Sequence, residues 1–344
     1  MRRLQRLQKN NMQMNGDHNA YAAGRSRFKL VAIIVAISLI IAAFVMLSLW
    51  EKDHNKYPDR PILEDTLTYR GQEYVLRNDV ETILVLGLDT FESEGSDSYN
   101  NNKQADFLLL LVIDSSDQSC RAIRINRDTM ADVNVLGVAG DKIGTATKQI
   151  ALAHTYGNGR EVSCRNTADA VSSLLLGAHV DHYVSLTMEA VSEYNDMLGG
   201  VTLEILEDFS SVDASLIQGE TMTLTGAQAL TYVRARQGME DPTNVSRMKR
   251  QKQYLEAVYA KTQDVAAADD AFLARAALQM SDYLISDCSG NKLESLLNRL
   301  STYELDTILD IEGENRMGEE FMEFHPDEAS VLEIVVACFY ELKP

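Results

Sequence analysis

Positive charge is scarce over most of this chain. Residues 51–344 hold 25 Lys and Arg against 50 Asp and Glu, a formal charge of −25. A surface of that sign repels nucleic acid and anionic headgroups in bulk, which removes DNA binding as a first reading. The chain also lacks GxGxxG, a GxxxxGK phosphate loop, GxSxG and HExxH. Nucleotide-cradle, serine-hydrolase and zincin chemistries therefore have no signature here. Cysteine is limited to Cys120, Cys164, Cys288 and Cys338, with no CxxC pair, which argues against a structural zinc site. Cys120 starts a predicted strand and Cys164 precedes a predicted helix, so a Cys120–Cys164 bridge is one expectation. Buried free thiols are the other. The histidines are scattered, and His154 and His182 read either as acid or base groups or as satisfied residues near the core. Of five prolines, Pro58 and Pro61 sit together in a polar stretch that reads as a linker.

One long apolar run is present. Leu30 to Trp50 is uncharged, and about 20 such residues at 1.5 Å rise match a bilayer core of about 30 Å. The run is too long for a cleaved signal and ends in Trp50, a suitable interfacial anchor. Lys and Arg precede it while Glu51 and Asp53 follow, so the positive-inside rule puts residues 1–29 in the cytoplasm and everything after the span outside. The expected organisation is a cytoplasmic tail (1–29), a transmembrane helix (30–50), a juxtamembrane linker with a small hairpin (51–80) and one extracellular domain (81–344).

The domain's pattern is mixed α/β. Thr66 to Tyr69 and Glu73 to Leu76 flank Arg70-Gly71-Gln72 as a hairpin. Thr82 to Leu88, Phe107 to Asp114, Arg121 to Asn126, Tyr183 to Thr187 and Val201 to Ile205 read as strands, several apolar on both faces and hence covered by helices. Asn166 or Thr167 is expected to cap a helix running to Leu176, and Met188 to Leu198 forms another that stops at Gly199-Gly200. Thr225 and Gln228 form a capping box. Asp327 starts a last helix whose apolar stripe includes Val331, Leu332, Val335, Cys338, Phe339 and Leu342.

Three chain segments are expected to meet at one end of the sheet. Asp89 follows the strand ILVLGL, Asp106 precedes FLLLLVI, and Arg127 with Asp128 follows the next strand. If those strands are antiparallel neighbours, the four side chains converge. Carboxylates beside a basic group suit a hard cation such as Mg²⁺ bridging to phosphate oxygens, or else cap loops and form surface pairs. Thr231 to Gln253 supplies Arg234 and Arg236 at a helix end. Asp241-Pro242 is then expected to start a helix with Arg247, Arg250, Gln251 and Tyr254 on one face. Guanidinium groups so arranged can clamp a diphosphate, or can be a solvated face with local ion pairs.

The segments GLD, ADFLLLLVID, INRDTM, HTYGNG, VDHYVSL, MLGGVTLEI, LTGAQALTYVRAR and SRMKRQ together resemble the LytR-CpsA-Psr family of cell-envelope proteins. The resemblance covers residues 80–344, with the short tail and single span. It implies a three-layer α/β/α domain around a central mixed sheet, with an apolar tunnel for a polyprenyl lipid. It also implies transfer of a glycopolymer from a polyprenyl diphosphate to peptidoglycan or another cell-wall acceptor, with Mg²⁺. By the same resemblance Asp89 and Asp106 are metal ligands, and Asp106, Arg127 and Asp128 are catalytic. Arg127, Arg234, Arg236, Arg247, Arg250 and Gln251 then bind the diphosphate. Gln104, Asn126, Asn244, Gln149 and His154 depart from residues frequent in the family, and Lys103 is a candidate to restore part of the missing positive charge. A lipid-diphosphate binding or sensing protein without turnover is the alternative. A transcriptional attenuator, the third reading, has no DNA-binding motif behind it.

Overall fold

A computed structural model describes residues 63–91, 101–241 and 243–344. The expected span at 30–50, Pro58, Pro61 and Pro242 lie outside these. No helix among the described residues is long and apolar enough to cross a membrane.

The chain enters through a hairpin of β1 (Thr66–Tyr69) and β2 (Gln72–Leu76), turned by Arg70 and Gly71 at φ 50° and 79°. Next, β3 (Val80–Leu88), β4 (Phe107–Asp114) and β5 (Ser119–Ile125) form an antiparallel meander, with Gly87 opposite Phe107 and Leu108 opposite Ile125. A second hairpin, β6 (Met130–Leu136) and β7 (Lys142–Gln149), leads through a 3-10 helix (Ile150–Thr155) to α1 (Glu161–Leu174). Then β8 (His182–Thr187) lies parallel to β3.

Helix α2 (Met188–Met197) is stopped by Gly199 and Gly200, both at positive φ, as expected. It is followed by β9 (Val201–Glu204), its antiparallel partner β10 (Thr221–Leu224), and α3 (Gly226–Arg234), whose capping box is present. Helices α4 (Asn244–Ala268) and α5 (Phe272–Gln279) precede β11 (Leu284–Ser286), α6 (Gly290–Thr302) and β12 (Glu304–Asp310). A last hairpin of β13 (Gly313–Met317) and β14 (Met322–Pro326) leads to α7 (Glu328–Phe339) and β15 (Tyr340–Leu342).

The central sheet is mixed, in the order β11-β8-β3-β4-β5-β12. Its apolar strands divide by parity. Leu84, Leu86, Leu88, Leu108, Leu110, Ile123 and Ile125 pack with residues of α1 and α7 in one core. Ile83, Val85, Leu109, Ile113, Cys120 and Ala122 face the other way, against Leu296 of α6 and Leu255 of α4. Apolar residues on both faces thus demand helices on both faces, and the three-layer arrangement follows. A separate core joins α2 through α5 with β9 and β10 around Phe209 and Tyr232.

Several expectations are corrected. The four cysteines are free. Cys120 and Cys164 cannot bridge, because their side chains belong to cores on opposite faces of the sheet. Helix α1 starts at Glu161, before Asn166, because the Asn158 carboxamide oxygen accepts from the backbone amides of Arg160 and Val162 and so starts the turn. Asn166 is instead buried, donating to the Ala153 and Asn134 carbonyls. The helix α4 is capped by Thr243, whose hydroxyl accepts from Ser246 N, while Asp241 accepts from Thr243 N. Leu342 lies outside the α7 stripe, since the helix ends at Phe339 and β15 pairs with β2. That pairing makes the expected linker hairpin part of the domain.

His154 is fully buried, with Nδ1 3.0 Å from the Lys103 carbonyl and Nε2 3.6 Å from Cys164 Sγ. Burial holds its pKa down at about 4, against the bond to Lys103 O that favours the proton. The unfolded chain protonates near pH 6.5, so the neutral imidazole contributes stability that is present above pH 6.5 and lost as pH falls toward 4. The expected contribution is about 3 kcal/mol. Thermal unfolding at pH 7 and pH 4 should therefore show a larger fall for the natural protein than for His154→Gln; equal falls would contradict this account.

Candidate functional site

The meander places its charged ends together. The Asp106 amide donates to the Gly87 carbonyl at 2.9 Å, which seats Asp106 beside the end of β3, one register position from Asp89. Gly87 permits this close approach, because a Cβ there would lie 2.8 Å from Phe107 Cβ. The end of β5 delivers Arg127, whose guanidinium contacts the Asp106 carboxylate and donates to Gln104 Oε1. Its Nε lies 3.5 Å from Asp128 Oδ1. Arg234 at the end of α3 reaches Asp89 at 3.0 Å, both side chains being more than half exposed. Three segments therefore meet at one sheet end, as the strand order required.

Arg236 and Arg247 extend the positive cluster, as their electrostatic effects show. Burial lowers the Arg247 pKa to about 10, and the charges of Arg236 and Arg127 push it the same way against the pull of Asp128. Arg127 is lowered by burial first, then opposed by Asp128 and reinforced by Arg236. Asp128 is raised by burial, partly offset by Arg127, Arg236 and Arg247. Like charges held this close store repulsion that an anion would relieve. Arg247 Nε is also buried without a hydrogen-bond partner.

Arg250 and Gln251 are placed differently from the expected ligand role. The Arg250 side chain is 0% exposed, so no part of it faces an incoming molecule. Its guanidinium donates to the Tyr232 and Ala235 carbonyls, lies 3.4 Å from Glu207 and packs over the Phe209 ring. Gln251 donates to the Val233 carbonyl at 3.2 Å. Both thus satisfy the free carbonyls at the end of α3, the chemistry of a C-cap performed by another helix. They position Arg234 and Arg236 relative to Arg247.

Residues flagged as departures are built into this network. Asn244 donates to Asn126 Oδ1 at 2.7 Å and accepts from Arg247 at 2.7 Å, while Asn126 Oδ1 also accepts from Asp128 N. Gln149 donates to Asp128 at 3.3 Å and to the Met322 carbonyl at 2.7 Å. The Asn126–Asn244 link went unforeseen as a contact, because the residues are 118 positions apart. Glu207 and Asn101 were missed altogether. Glu207 accepts from Ser246 and faces Arg250; Asn101 ties its loop to the carbonyls of His154 and Thr155. No sequence signal separates Asn101 from Asn100 and Asn102.

The donor set admits a hard cation. Asp89 and Asp106 offer carboxylate oxygens at adjacent strand ends, each paired with an arginine, Asp89 with Arg234 and Asp106 with Arg127. Magnesium uses one or two carboxylates of this kind together with phosphate oxygens.

Comparison with known proteins fits this geometry. The LytR_cpsA_psr family model matches residues 51–335. The teichoic acid transferase TagU of Halalkalibacterium halodurans is 30% identical over 52% of this chain and 51% of its own. TagU of Bacillus subtilis strain 168 is 29% identical over 56% and 55%. The chain thus spans about half the length of the curated relatives it matches. Among solved structures, B. subtilis TagV aligns with a TM-score of 0.60 at 22% identity, over 76% of this chain and 97% of TagV. The structure titled TagT bound to LIIa-WTA aligns with 0.57 at 20% identity, over 80% and 95%. These structures share the fold, and with the family match covering most of its length the chain belongs to the LytR_cpsA_psr family.

Proposed function

We propose that this chain is a membrane-anchored, extracytoplasmic phosphotransferase that moves a glycan phosphate from a polyprenyl diphosphate carrier to a cell-wall acceptor such as peptidoglycan. The observation that carries this reading is the convergence of Arg127, Arg234, Arg236 and Arg247 with Asp89, Asp106 and Asp128 at one sheet end. The transferase names of the relatives support it. Residues 30–50 serve as the anchor in this reading, with the domain outside.

The acceptor hydroxyl oxygen forms a bond to the glycan-side phosphorus, and the bond from that phosphorus to the bridging oxygen breaks. Polyprenyl phosphate leaves, and the hydroxyl proton passes to a carboxylate oxygen of Asp106. Arg127, Arg234, Arg236 and Arg247 bind the diphosphate oxygens and stabilise charge on the leaving group. Asp128 and Gln104 hold the Arg127 guanidinium in place. Asp89 and Asp106 would hold Mg²⁺, which neutralises diphosphate charge when bound. A binding or sensing role without turnover is favoured by one feature, the neutral side chains of Gln104, Asn244 and Gln149 within the network.

Asp106→Asn or Arg127→Met is expected to lower transfer from a polyprenyl-diphosphate glycan by about 10²–10³-fold while leaving the melting temperature near that of the natural protein. Unchanged transfer would overturn the assignment, and retained lipid without any transfer by the natural protein would favour the sensing role. Inorganic pyrophosphate should raise the melting temperature, by the equivalent of about 2.7 kcal/mol at 100 times its Kd. Arg247→Met should abolish that shift. Arg250→Met should instead lower stability before any ligand is added, by about 3 kcal/mol; a stable Arg250→Met that merely fails to bind would contradict its positioning role.

A further inference from the structure

A second cluster of chemistry-bearing side chains occupies the end of the central sheet opposite the arginines. His182 opens β8 opposite Ile83, whereas the arginine cluster lies beyond Leu88 at the other end of β3. The neighbouring strand β11 runs antiparallel and ends with Ser286 opposite Val184, so Asp287 and Cys288 emerge beside His182. One ligand atom from each of His182, Asp287 and Cys288 lies within 4.8 Å of the others. No other such trio occurs among the described residues. The three span 106 positions of sequence, so the group has no local spacing motif.

The surroundings orient these groups. His182 Nδ1 is buried, has no hydrogen-bond partner and points toward Asp287 Oδ1 at 3.4 Å. Its Nε2 lies 3.5 Å from Glu81, a carboxylate held by Lys292 and Arg299. Asp287 accepts from the Tyr183 amide at 3.0 Å and from Arg165. The Cys288 amide donates to Ser286 Oγ at 3.0 Å, and that hydroxyl donates to the Tyr183 carbonyl at 2.8 Å. His182 therefore opens β8 while Asp287 and Cys288 follow β11, and the Asp287 and Ser286 side chains tie the two segments together through the Tyr183 backbone.

We propose that His182, Asp287 and Cys288 form a binding site for a Zn²⁺-class transition-metal ion. One nitrogen, one oxygen and one sulfur ligand suit a borderline ion and disfavour Mg²⁺ or Ca²⁺, which take oxygen ligands. Bonds of about 2.0–2.3 Å to a tetrahedral ion put ligand atoms roughly 3.3–3.8 Å apart, a small contraction of the present cluster. His182 binds through Nδ1, and Glu81 accepts from Nε2–H, the carboxylate–histidine–metal arrangement that fixes the tautomer. The Cys288 thiol releases its proton to solvent as the metal–sulfur bond forms, so affinity rises with pH. Arg165, which is 41% exposed on its side chain, can swing away from Asp287 as the ion arrives. The site clamps the β8–β11 edge and stands apart from the diphosphate chemistry.

The test is Co²⁺ titration of the full-length, reduced protein in detergent, followed by displacement with Zn²⁺. Stoichiometric uptake with a thiolate-to-cobalt charge-transfer band is expected, abolished in Cys288→Ser and retained in Cys120→Ser. His182→Gln should weaken binding about 10–100-fold, and circular dichroism checks that each variant is folded. No charge-transfer band in the folded natural protein, or a band that survives in Cys288→Ser, would overturn the proposal. Should Cys288→Ser fail to fold, a band unchanged in position and affinity in folded His182→Gln would overturn it equally.

Discussion

A guanidinium with no solvent contact holds the arginine-bearing part of this domain together. Arg250 of α4 reaches the last carbonyls of α3, faces Glu207 and lies over Phe209. Burial lowers its pKa, and Glu207 is the first group to offset that. Desolvating such a charge is tolerable only because almost every direction around it presents a carbonyl, a carboxylate or an aromatic face. The result is a fixed angle between two helix ends. Arg234 and Arg236 leave one and Arg247 rises from the other, so the spacing of the cluster is set from beneath.

On the opposite side of the cluster, the sheet supplies the rest by register alone. Antiparallel pairing of β3, β4 and β5 brings Asp89, Asp106 and Arg127 to one edge without a dedicated loop. Neutral side chains hold these charged groups: Gln104 accepts from Arg127, Gln149 donates to Asp128, and Asn244 of α4 links Asn126 at the end of β5 to Arg247. Residues that looked like losses of charge in the sequence are thus contacts that orient the remaining charges. Burial first, and then the charges of Arg236 and Arg127, hold the Arg247 pKa down, and an anion would find donors already gathered.

The strands were legible because their apolar runs have unmistakable length and because turn residues bound them; Phe107–Asp114 came out at its expected limits. The convergence of Asp89, Asp106 and Arg127 followed from counting strand reversals, which needs no side-chain knowledge. The depth of Arg250 was not legible, because helical spacing places it on the face of Arg247 but says nothing of burial, which depends on α3 and Phe209, distant in sequence. The hairpins β6–β7 and β13–β14 were missed, since exposed strands carry polar residues such as Lys142 to Gln149 and Gly313 to Met317 and lack an apolar alternation. The Cys120–Cys164 bridge failed for a related reason, because strand and helix ends do not reveal which face of the sheet a side chain occupies.

If the arginine cluster holds a lipid-linked diphosphate, that ligand should survive gentle purification. Mass spectrometry of lipid retained by the full-length protein, purified in mild detergent from the cells that make it, is the direct test. The expected species is a polyprenyl diphosphate bearing a glycan, whose sugars would identify the donor. Retention of only phosphate-free lipid, or of the same phospholipids that any membrane protein carries, would contradict it.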